Sequence, residues 1–404
     1  MASLLPFQAL RPTPSTAARI AAVPYDVVST DEARALATDP LSFLHVSRAE
    51  IDLPPGTSPY ADEVYARAKA NFATLRATAP LTIEDAPSVY VYRLTQGGHT
   101  QTGVAACFAI DEYESAVIKR HELTRVDKED DRTRHLIELR AQTGPVFLTY
   151  RASPAVAALV AAVAAAPPLF DFQATDGVTH AVWRVPGPDV ARLVAAFAAV
   201  PTLYIADGHH RAASAARARR HFAGPTGTPG PWDGMIAVAF PDREMQVLPY
   251  NRAVKDLAGQ TIDQFLSHVS RVCVVRPGRS VPSAAGHVSL FDGATWHDLE
   301  LPPMAPGAAA TDALDVSRLQ HAVLGPILGI GDPRSDPRIE FVGGARGTAD
   351  LEARVRSGAS AVAFSMHPVS VADLMTVSDA GEIMPPKSTW FEPKLRDGLL
   401  SHLL

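Results

Sequence analysis

The stretch of residues 202–211 constrains the fold more than any other part of the sequence. Its first half is apolar and predicts a buried strand, and Asp207-Gly208-His209-His210 then turns directly into the Ala-rich segment 211–221, which predicts a helix. Glycine permits such a tight turn. A strand, a glycine turn and a helix in succession are typical of α/β folds, in which functional residues stand at the carboxyl ends of strands. Asp207 occupies that position.

The rest of the chain also alternates between predicted strands and helices, which indicates an α/β protein with mixed α+β sheets. Gly97-Gly98 separates two strand-like runs, residues 88–94 and 103–110, and predicts a hairpin. The charged segment 118–140 is predicted to be mostly helical. At 404 residues the chain exceeds the roughly 250 to 300 residues at which a single core stops growing. We therefore expect an N-terminal and central α/β region over 1–255 and a C-terminal α/β region over 256–404.

Composition excludes several classes of protein. Apolar residues make up 47% and charged residues 20% of the chain, which gives ample material for a core and no case for disorder. A net charge of -6 disfavours broad binding to nucleic acid. No membrane span and no cleavable leader are recognisable, so we expect a cytoplasmic protein without a membrane partner. Cys107 and Cys273 lie in apolar runs and are interpreted as buried hydrophobic residues.

The turn at Asp207 to Arg211 has the features of an anion site. Gly208 lets the backbone approach a ligand, the following helix offers unpaired N–H groups and the positive end of its dipole, and Arg211 adds a bidentate cation. Asp207 is then placed to accept a hydroxyl proton or to hold a divalent cation. In the alternative interpretation, Asp207 only caps the helix, and His209 and His210 are solvated.

A second cluster comprises Lys119, Arg120, His121 and Glu122. It follows a strand-like segment and mixes a carboxylate with cations, as phosphoryl transfer to an alcohol requires. The neighbouring charges at 129–134 are more typical of a solvated helix face. The His-Glu pair does not have the spacing of a zinc protease, since no histidine follows four residues after the first.

The segment 384–394 near the C-terminus sets Lys387 and Lys394 among prolines and aromatic residues. Prolines fix the backbone and keep a loop rigid. The two lysines are therefore held either toward an anionic ligand or toward solvent, and the sequence leaves both readings open.

Several separated motifs, in a fixed order, resemble the widespread bacterial family called domain of unknown function 1015. The resemblance spans about residues 5–404, and the family name supplies little mechanism. The motifs that carry it are Pro24-Tyr25-Asp26, residues 119–124, residues 207–211, Pro326-Ile327-Leu328-Gly329-Ile330 and residues 384–394.

A more distant resemblance, limited to the turn, is to the ParB/sulfiredoxin fold, in which a Gly-x-x-Arg turn cradles nucleotide phosphates. Gly208 and Arg211 match that turn. Sulfiredoxins carry a catalytic cysteine where this chain has His209, so redox chemistry is disfavoured. ParB proteins, which bind CTP and DNA, carry Glu-Arg-Arg after the glycine. The free-serine kinases of this fold resemble the chain more closely, because they place Asp-Gly-His before the helix.

The kinase resemblance implies transfer of phosphate from ATP or ADP to the hydroxyl of free L-serine with magnesium. It implies that Asp207 is the base or the metal-organising carboxylate and that Glu122 is the second acidic residue, while the long insert between them departs from the compact kinases. The expected catalytic residues are Asp207, Glu122 and His209, and the expected magnesium ligands are Asp207 and Glu122. The expected nucleotide-binding residues are Gly208, His209, His210, Arg211, Lys119, Arg120, His121, Lys387 and Lys394.

Two other classes of function stay open. One is a nucleotide-gated binding protein with a slow hydrolytic cycle, and the other is a regulatory or ParB-like DNA-associated module. The acidic balance of the chain and the lack of an evident helix-turn-helix disfavour the second.

Overall fold

A computed structural model describes residues 2–304 and 307–404. The chain divides into two compact units. The first contains the residues up to Met245 together with Pro393–Leu404, and the second is Gln246–Glu392. The expected boundary at 255/256 therefore falls ten residues beyond the division that the structure makes, and the last twelve residues return to the first unit.

The first unit is built on a nine-stranded mixed sheet. Leu4–Leu5 pairs beside His99–Ala109, and the other strands follow one another across the sheet. In spatial order these are Ile118–Lys119, Leu203–Asp207, Val146–Tyr150, Gly234–Pro241, His99–Ala109, Tyr90–Gln96, Thr179–Arg184 and Phe170–Gln173.

Leu203–Asp207 runs parallel to Ile118–Lys119 and antiparallel to Val146–Tyr150. The last of these strands is buried along its whole length, as its apolar sequence VFLTY predicts for a strand covered on both faces. The longer helices of the unit are Asp62–Thr78, Val126–Leu139, Pro154–Ala164, Gly187–Ala198 and His209–Ala223. The shorter helices are Ala17–Ile20, Thr30–Leu36, Leu44–Ser47 and Ile110–Glu114, with 3-10 turns at Ala49–Asp52, Pro231–Asp233 and Asp242–Glu244.

A four-stranded sheet explains why the C-terminus belongs to the first unit. Ser401–Leu403 pairs with both Ala9–Pro12 and Ala141–Gln142, and Leu81–Ile83 completes the sheet on the far side of Ala9–Pro12. The pairing of Ala9 with His402 joins residues almost 400 positions apart, which chain order does not reveal.

The second unit has a six-stranded antiparallel sheet. The strand Tyr250–Val254 lies inside this sheet, so the boundary between the two units comes before residue 255. The strands in spatial order are Val274–Pro277, Trp296–Glu300, His287–Phe291, Val362–Met366, Tyr250–Val254 and Ile339–Gly343. Gln246–Leu248 and Trp390–Glu392 form a separate pair. The helices are Ile262–Val269, Asp315–Leu319, Gly347–Arg356 and Val371–Asp379, with a π turn at Gln320–Leu324 and a 3-10 turn at Gly344–Arg346.

The predicted mixed α/β class is confirmed, as is the hairpin, whose strands Tyr90–Gln96 and His99–Ala109 pair antiparallel. The helical prediction for residues 118–140 is correct only from Val126 onward, because Ile118–Lys119 forms a strand instead. Among the described residues, every helix is too short or too polar to span a lipid bilayer.

Candidate functional site

The predicted strand, turn and helix occur at residues 203–223 of the first unit. Asp207 ends the strand, Gly208 has a φ of +91°, and the helix starts at His209. A side chain at Gly208 would be strained because the positive φ disfavours L-residues, and its Cβ would also lie 3.1 Å from Arg211 Nε, which is closer than an ordinary contact. Glycine is therefore required both for the backbone conformation and for the close packing of this turn.

Asp207 does not act as a simple helix cap. Its Oδ1 accepts a hydrogen bond from the N–H of Gly208 at 2.8 Å, and Gly208, the N-cap residue of the helix, has no side chain that could cap it. The first N–H groups of the helix and the positive end of its dipole thus remain suited to an anion. His209 is buried, so it is not solvated as the alternative interpretation expects.

Two cations surround the carboxylate of Asp207. Lys394 Nζ lies 3.0 Å from Oδ2 and Arg211 Nη2 lies 3.9 Å from the same atom. Burial alone would raise the pKa of Asp207, but Lys394 and Arg211 outweigh it and hold that pKa well below its usual range. Asp207 therefore stays ionised at neutral pH, and so low a pKa makes it a weak general base.

Arg211 is turned into the protein interior. Its Nη1 donates to the carbonyl oxygen of Pro145 at 2.7 Å, and its Nε has no hydrogen-bond partner within the described ranges. Burial would lower the pKa of Arg211, but the carboxylates of Asp26, Asp207 and Asp397 raise it above its usual value. The Arg211 guanidinium therefore stays protonated and packs against the buried side of the turn.

Arg211 also lines a small cavity together with Tyr25, Arg132, Gly144 and Asp397. The cavity volume of about 50 Å³ admits a few water molecules and is too small for a nucleotide. Burial raises the pKa of the Asp397 carboxyl to about 7, and Arg211 opposes this only in part.

His121 and His209 meet because their strands run side by side. Lys119 lies opposite Tyr204 in the parallel pair, so residues 120–122 leave the sheet beside the turn. The backbone N–H of His121 lies 3.4 Å from His209 Nε2, and the two rings are nearly perpendicular with centroids 4.5 Å apart. Burial lowers the pKa of His121 to about 4. Burial, reinforced by His121, lowers the pKa of His209 well below its usual range, so both rings are neutral at pH 7.

Glu122 adds a carboxylate to the histidine pair. Its Oε2 lies 3.9 Å from His209 Nδ1, and its side chain is 39% exposed. Ligand atoms of His121, Glu122 and His209 lie within 4.8 Å of one another, a grouping that can hold a metal ion. Asp207 is not part of this three-residue grouping in the described structure.

The remaining predicted residues are distributed between the two units. Lys119 lies in the short parallel strand, and Arg120 is exposed after it. His210 Nε2 accepts the backbone N–H of Arg125 at 3.1 Å. Lys387 belongs to the second unit, where its Nζ lies 5.4 Å from the ring centroid of Tyr250. The first unit therefore brings together residues 119–122, residues 207–211 and Lys394.

Sequence reasoning missed the charged residues behind the turn, namely Asp26, Arg132 and Asp397, which surround Arg211 together with Pro145. The signal available was the Pro24-Tyr25-Asp26 motif, which carries the family resemblance but has no evident chemistry by itself. Asp397 follows Lys394 by three residues, and its partners lie elsewhere in the chain.

Fold and site together define a mixed α/β protein with a charged glycine turn at the end of a sheet strand. The chain belongs to the family described as "Protein of unknown function (DUF1015)", whose model matches residues 4–317. A search of curated proteins finds no match.

Solved structures resemble the chain only weakly. SbnI with a C-terminal truncation, from Staphylococcus aureus, has a TM-score of 0.37 and 12% identity, covering 72% of this chain and 85% of that one. A conserved hypothetical protein from Pyrococcus furiosus has a TM-score of 0.36 and 14% identity, covering 73% and 94%. A mutant free serine kinase in complex with ADP has a TM-score of 0.36 and 12% identity, covering 72% and 92%. Such scores assign neither function nor active-site residues.

Proposed function

We propose that this chain is a nucleotide-dependent small-molecule kinase that transfers a phosphoryl group from ATP or ADP to a hydroxyl, with free L-serine as the acceptor. The observation that carries the proposal is the meeting of three distant segments in one unit: residues 119–122, residues 207–211 and Lys394. The sequence predicts a phosphate-handling or proton-handling role for each of them. Segments that are far apart in the sequence and share no role would not be expected to meet at one place in the fold.

The nucleotide phosphates fit the start of the helix His209–Ala223. The helix offers N–H groups and a positive dipole end there, and Lys394 and Arg211 add two cations within 4 Å of Asp207. Because Arg211 is buried, we propose that it fixes the conformation of the turn and adds positive charge there, and that it does not bind the phosphate through two hydrogen bonds. His210, Lys119 and Arg120 are proposed as further nucleotide contacts at the rim.

Glu122 is the proposed acceptor of the hydroxyl proton. In the reaction, the hydroxyl oxygen forms a bond to phosphorus, the phosphoanhydride bond breaks, and the hydroxyl proton passes to a base. Asp207 is a weak base because its pKa is held so low, whereas Glu122 is partly exposed and adjoins neutral His209. Asp207 then acts electrostatically, by holding Lys394 at the site.

The donor set at Asp207 does not fit a directly bound magnesium ion. Its Oδ2 already lies 3.0 Å from Lys394 and 3.9 Å from Arg211, and a divalent cation would meet both positive charges. We therefore assign magnesium to the nucleotide, as the counter-ion of its phosphates, and assign no step of the reaction to Asp207-bound metal.

The test is formation of O-phosphoserine by the purified full-length chain with L-serine, magnesium and either ATP or ADP, followed by mass spectrometry. Other hydroxylated metabolites are assayed in parallel. Glu122→Gln is expected to lower kcat by roughly 10²-fold to 10⁴-fold, the usual contribution of a general base, with little change in nucleotide affinity. Glu63→Gln is the matched control, because Glu63 is an exposed carboxylate in the helix Asp62–Thr78.

Calorimetric titration with ATP and ADP separates binding from turnover. Nucleotide binding without any phosphorylated product across the acceptor panel would replace the kinase proposal with the nucleotide-gated binding protein. Full activity of the Glu122→Gln variant would remove Glu122 from the proton-accepting role.

A further inference from the structure

We propose that His121, Glu122 and His209 form a binding site for a divalent transition-metal ion, with Zn²⁺ as the ion that fits best. This site goes beyond the proposed kinase function, because metal binding here is expected whether or not the chain transfers phosphate. It also differs from the magnesium expected at Asp207 and Glu122.

The donor atoms select the class of ion. Two imidazole nitrogens and one carboxylate oxygen suit zinc and neighbouring transition metals, whereas magnesium prefers an all-oxygen set and retains its water. Two histidines and one glutamate supply three protein ligands. A zinc site of this kind keeps a fourth position open for water or for an oxygen of a bound molecule.

The geometry requires a small closure. The ligand atoms lie within 4.8 Å of one another. Donors around a tetrahedral zinc ion are about 3.4 Å apart, given ligand distances of about 2.1 Å. Glu122 Oε2 lies 3.9 Å from His209 Nδ1, so this pair needs a closure of only about 0.5 Å, which the 39% exposed side chain of Glu122 can supply. His121 and His209 are buried on either side of it, next to a strand and at a helix start.

The contacts around the rings resemble those of metal-bound histidines. The backbone of Ile205 hydrogen-bonds the His121 ring, and a backbone partner of this kind fixes the ring and its tautomer. His209 Nε2 lies 3.4 Å from the His121 N–H, which is a long hydrogen bond. This contact opposes metal binding, because a metal ion on Nδ1 would put the ring proton on Nε2, where it faces the His121 N–H; the opposition is small because the hydrogen bond is long.

Two positive features oppose a cation, and two negative features offset them. The start of the helix carries about half a positive charge, and Arg120 lies nearby. Arg120 is exposed, so solvent screens its charge. Glu122 supplies a full negative charge within the site, and the charge of Asp207 acts on both histidines. The negative charges of Glu122 and Asp207 therefore offset the positive charges around the site, and a divalent cation can bind there.

The experiment uses the untagged full-length chain, stripped with a chelator and equilibrated with Zn²⁺ alone. Elemental analysis after gel filtration is expected to give one zinc per chain, and competition with a chromophoric chelator gives the affinity. Co²⁺ should produce the visible absorption bands of a low-coordinate nitrogen and oxygen site. Zinc below stoichiometric amounts, or cobalt with only the spectrum of the hydrated ion, would overturn the proposal.

Matched variants locate the ion. Glu122→Gln and His209→Gln are each expected to weaken zinc binding at least tenfold, since each removes a ligand. Their controls are Glu63→Gln and His221→Gln, which change an exposed glutamate and an exposed histidine. Circular dichroism checks that the His209 variant folds, and Glu122→Gln, at a partly exposed position, keeps the test decisive if it does not. Parent-like zinc affinity in Glu122→Gln would refute the assignment.

A zinc ion on Glu122 would occupy the carboxylate that accepts the hydroxyl proton in the kinase proposal, so the two roles belong to the zinc-bound and the zinc-free chain, and added zinc should inhibit phosphoserine formation. The tests of the two proposals are separate. Zinc binding is measured without nucleotide or serine, and phosphoserine formation is measured with magnesium in chelator-treated buffer. Loss of the zinc result alone leaves the kinase proposal standing, and loss of product alone leaves the metal site standing.

Discussion

Replacing Lys394 by Met tests whether the C-terminal segment is held at the turn by charge. The ammonium lies 3.0 Å from Asp207 Oδ2, and the two side chains are 12% and 26% exposed. Methionine keeps the apolar stem and removes the charge. Arg211 Nη2, at 3.9 Å from Asp207 Oδ2, stays in place in this variant.

The expected loss of stability follows from the distance between Lys394 Nζ and Asp207 Oδ2. Two unit charges 3.0 Å apart attract by about 5.5 kcal/mol at an effective dielectric constant of about 20. Desolvation of both groups cancels more than half of this, and hydrogen bonds between charged groups contribute roughly 1.5 to 3 kcal/mol net. We expect Lys394→Met to lower the local free energy of opening by about 2 kcal/mol, which corresponds to about 30-fold faster amide exchange around the turn.

The assay is hydrogen–deuterium exchange with mass spectrometry on peptides that cover residues 203–211, because a chain with two units does not unfold in one two-state step. Asp207→Asn and the double variant complete a double-mutant cycle, in which the coupling energy should also be about 2 kcal/mol. Unchanged exchange at 203–211 in Lys394→Met, or a coupling energy near zero, would refute the claim that this ion pair fixes the segment.

Three further predictions concern the same unit. Gly208→Ala should lower the melting temperature, because an alanine in the left-handed conformation costs about 1 to 2 kcal/mol and its Cβ would lie 3.1 Å from Arg211 Nε. An unchanged melting temperature would contradict the assigned strain. The pKa of Asp397 is about 7 in the folded chain and about 3.9 in the unfolded chain, so the folded state holds this proton more tightly. The free energy of unfolding should therefore fall by about 2 to 3 kcal/mol as the pH rises from about 5 to about 8. Asp397→Asn should flatten this part of the thermal stability profile, and an equally steep profile would assign the effect to another group. Lys394→Met should raise the calorimetric Kd for ADP about tenfold, as expected for losing a charge-assisted contact, and Lys69→Met, at an exposed lysine of the first unit, is its comparison; equal affinities in the parent and Lys394→Met would remove Lys394 from the phosphate site.

The strongest local signals in the sequence predicted the structure well. The apolar run before Asp207 and the glycine after it specify a strand, a left-handed residue and a helix, because each step depends on neighbouring residues alone. The hairpin at 90–109 follows from alternation and a Gly-Gly turn in the same way. Where local chemistry decides the backbone, the sequence suffices.

Long-range pairing decided the elements that the sequence did not predict. The strand Ile118–Lys119 is two residues long, and its pairing with Leu203–Asp207 is what makes it a strand. The charged residues after it favoured a helical reading. The return of residues 401–403 to Ala9–Pro12 is equally invisible in local patterns. These two pairings bring the His-Glu segment to the turn and anchor the C-terminal segment, so the site depends on contacts that the sequence alone does not specify.

The turn creates two neighbouring environments of opposite character, which leads to a reciprocal prediction. Lys394 and Arg211 lie on the Asp207 side and favour phosphate, whereas the neutral rings of His121 and His209 and the carboxylate of Glu122 favour a metal ion. A bound anion and a bound cation attract each other across this short distance, so each should strengthen binding of the other by the same factor, which we expect to be about tenfold. Calorimetric titration of ADP with and without Zn²⁺, and of Zn²⁺ with and without ADP, measures both factors after correction for zinc–ADP association in solution. The factors must agree, and both should approach one in Glu122→Gln. If the enhancement persists in that variant, the zinc ion acts through the nucleotide and the two environments are not coupled.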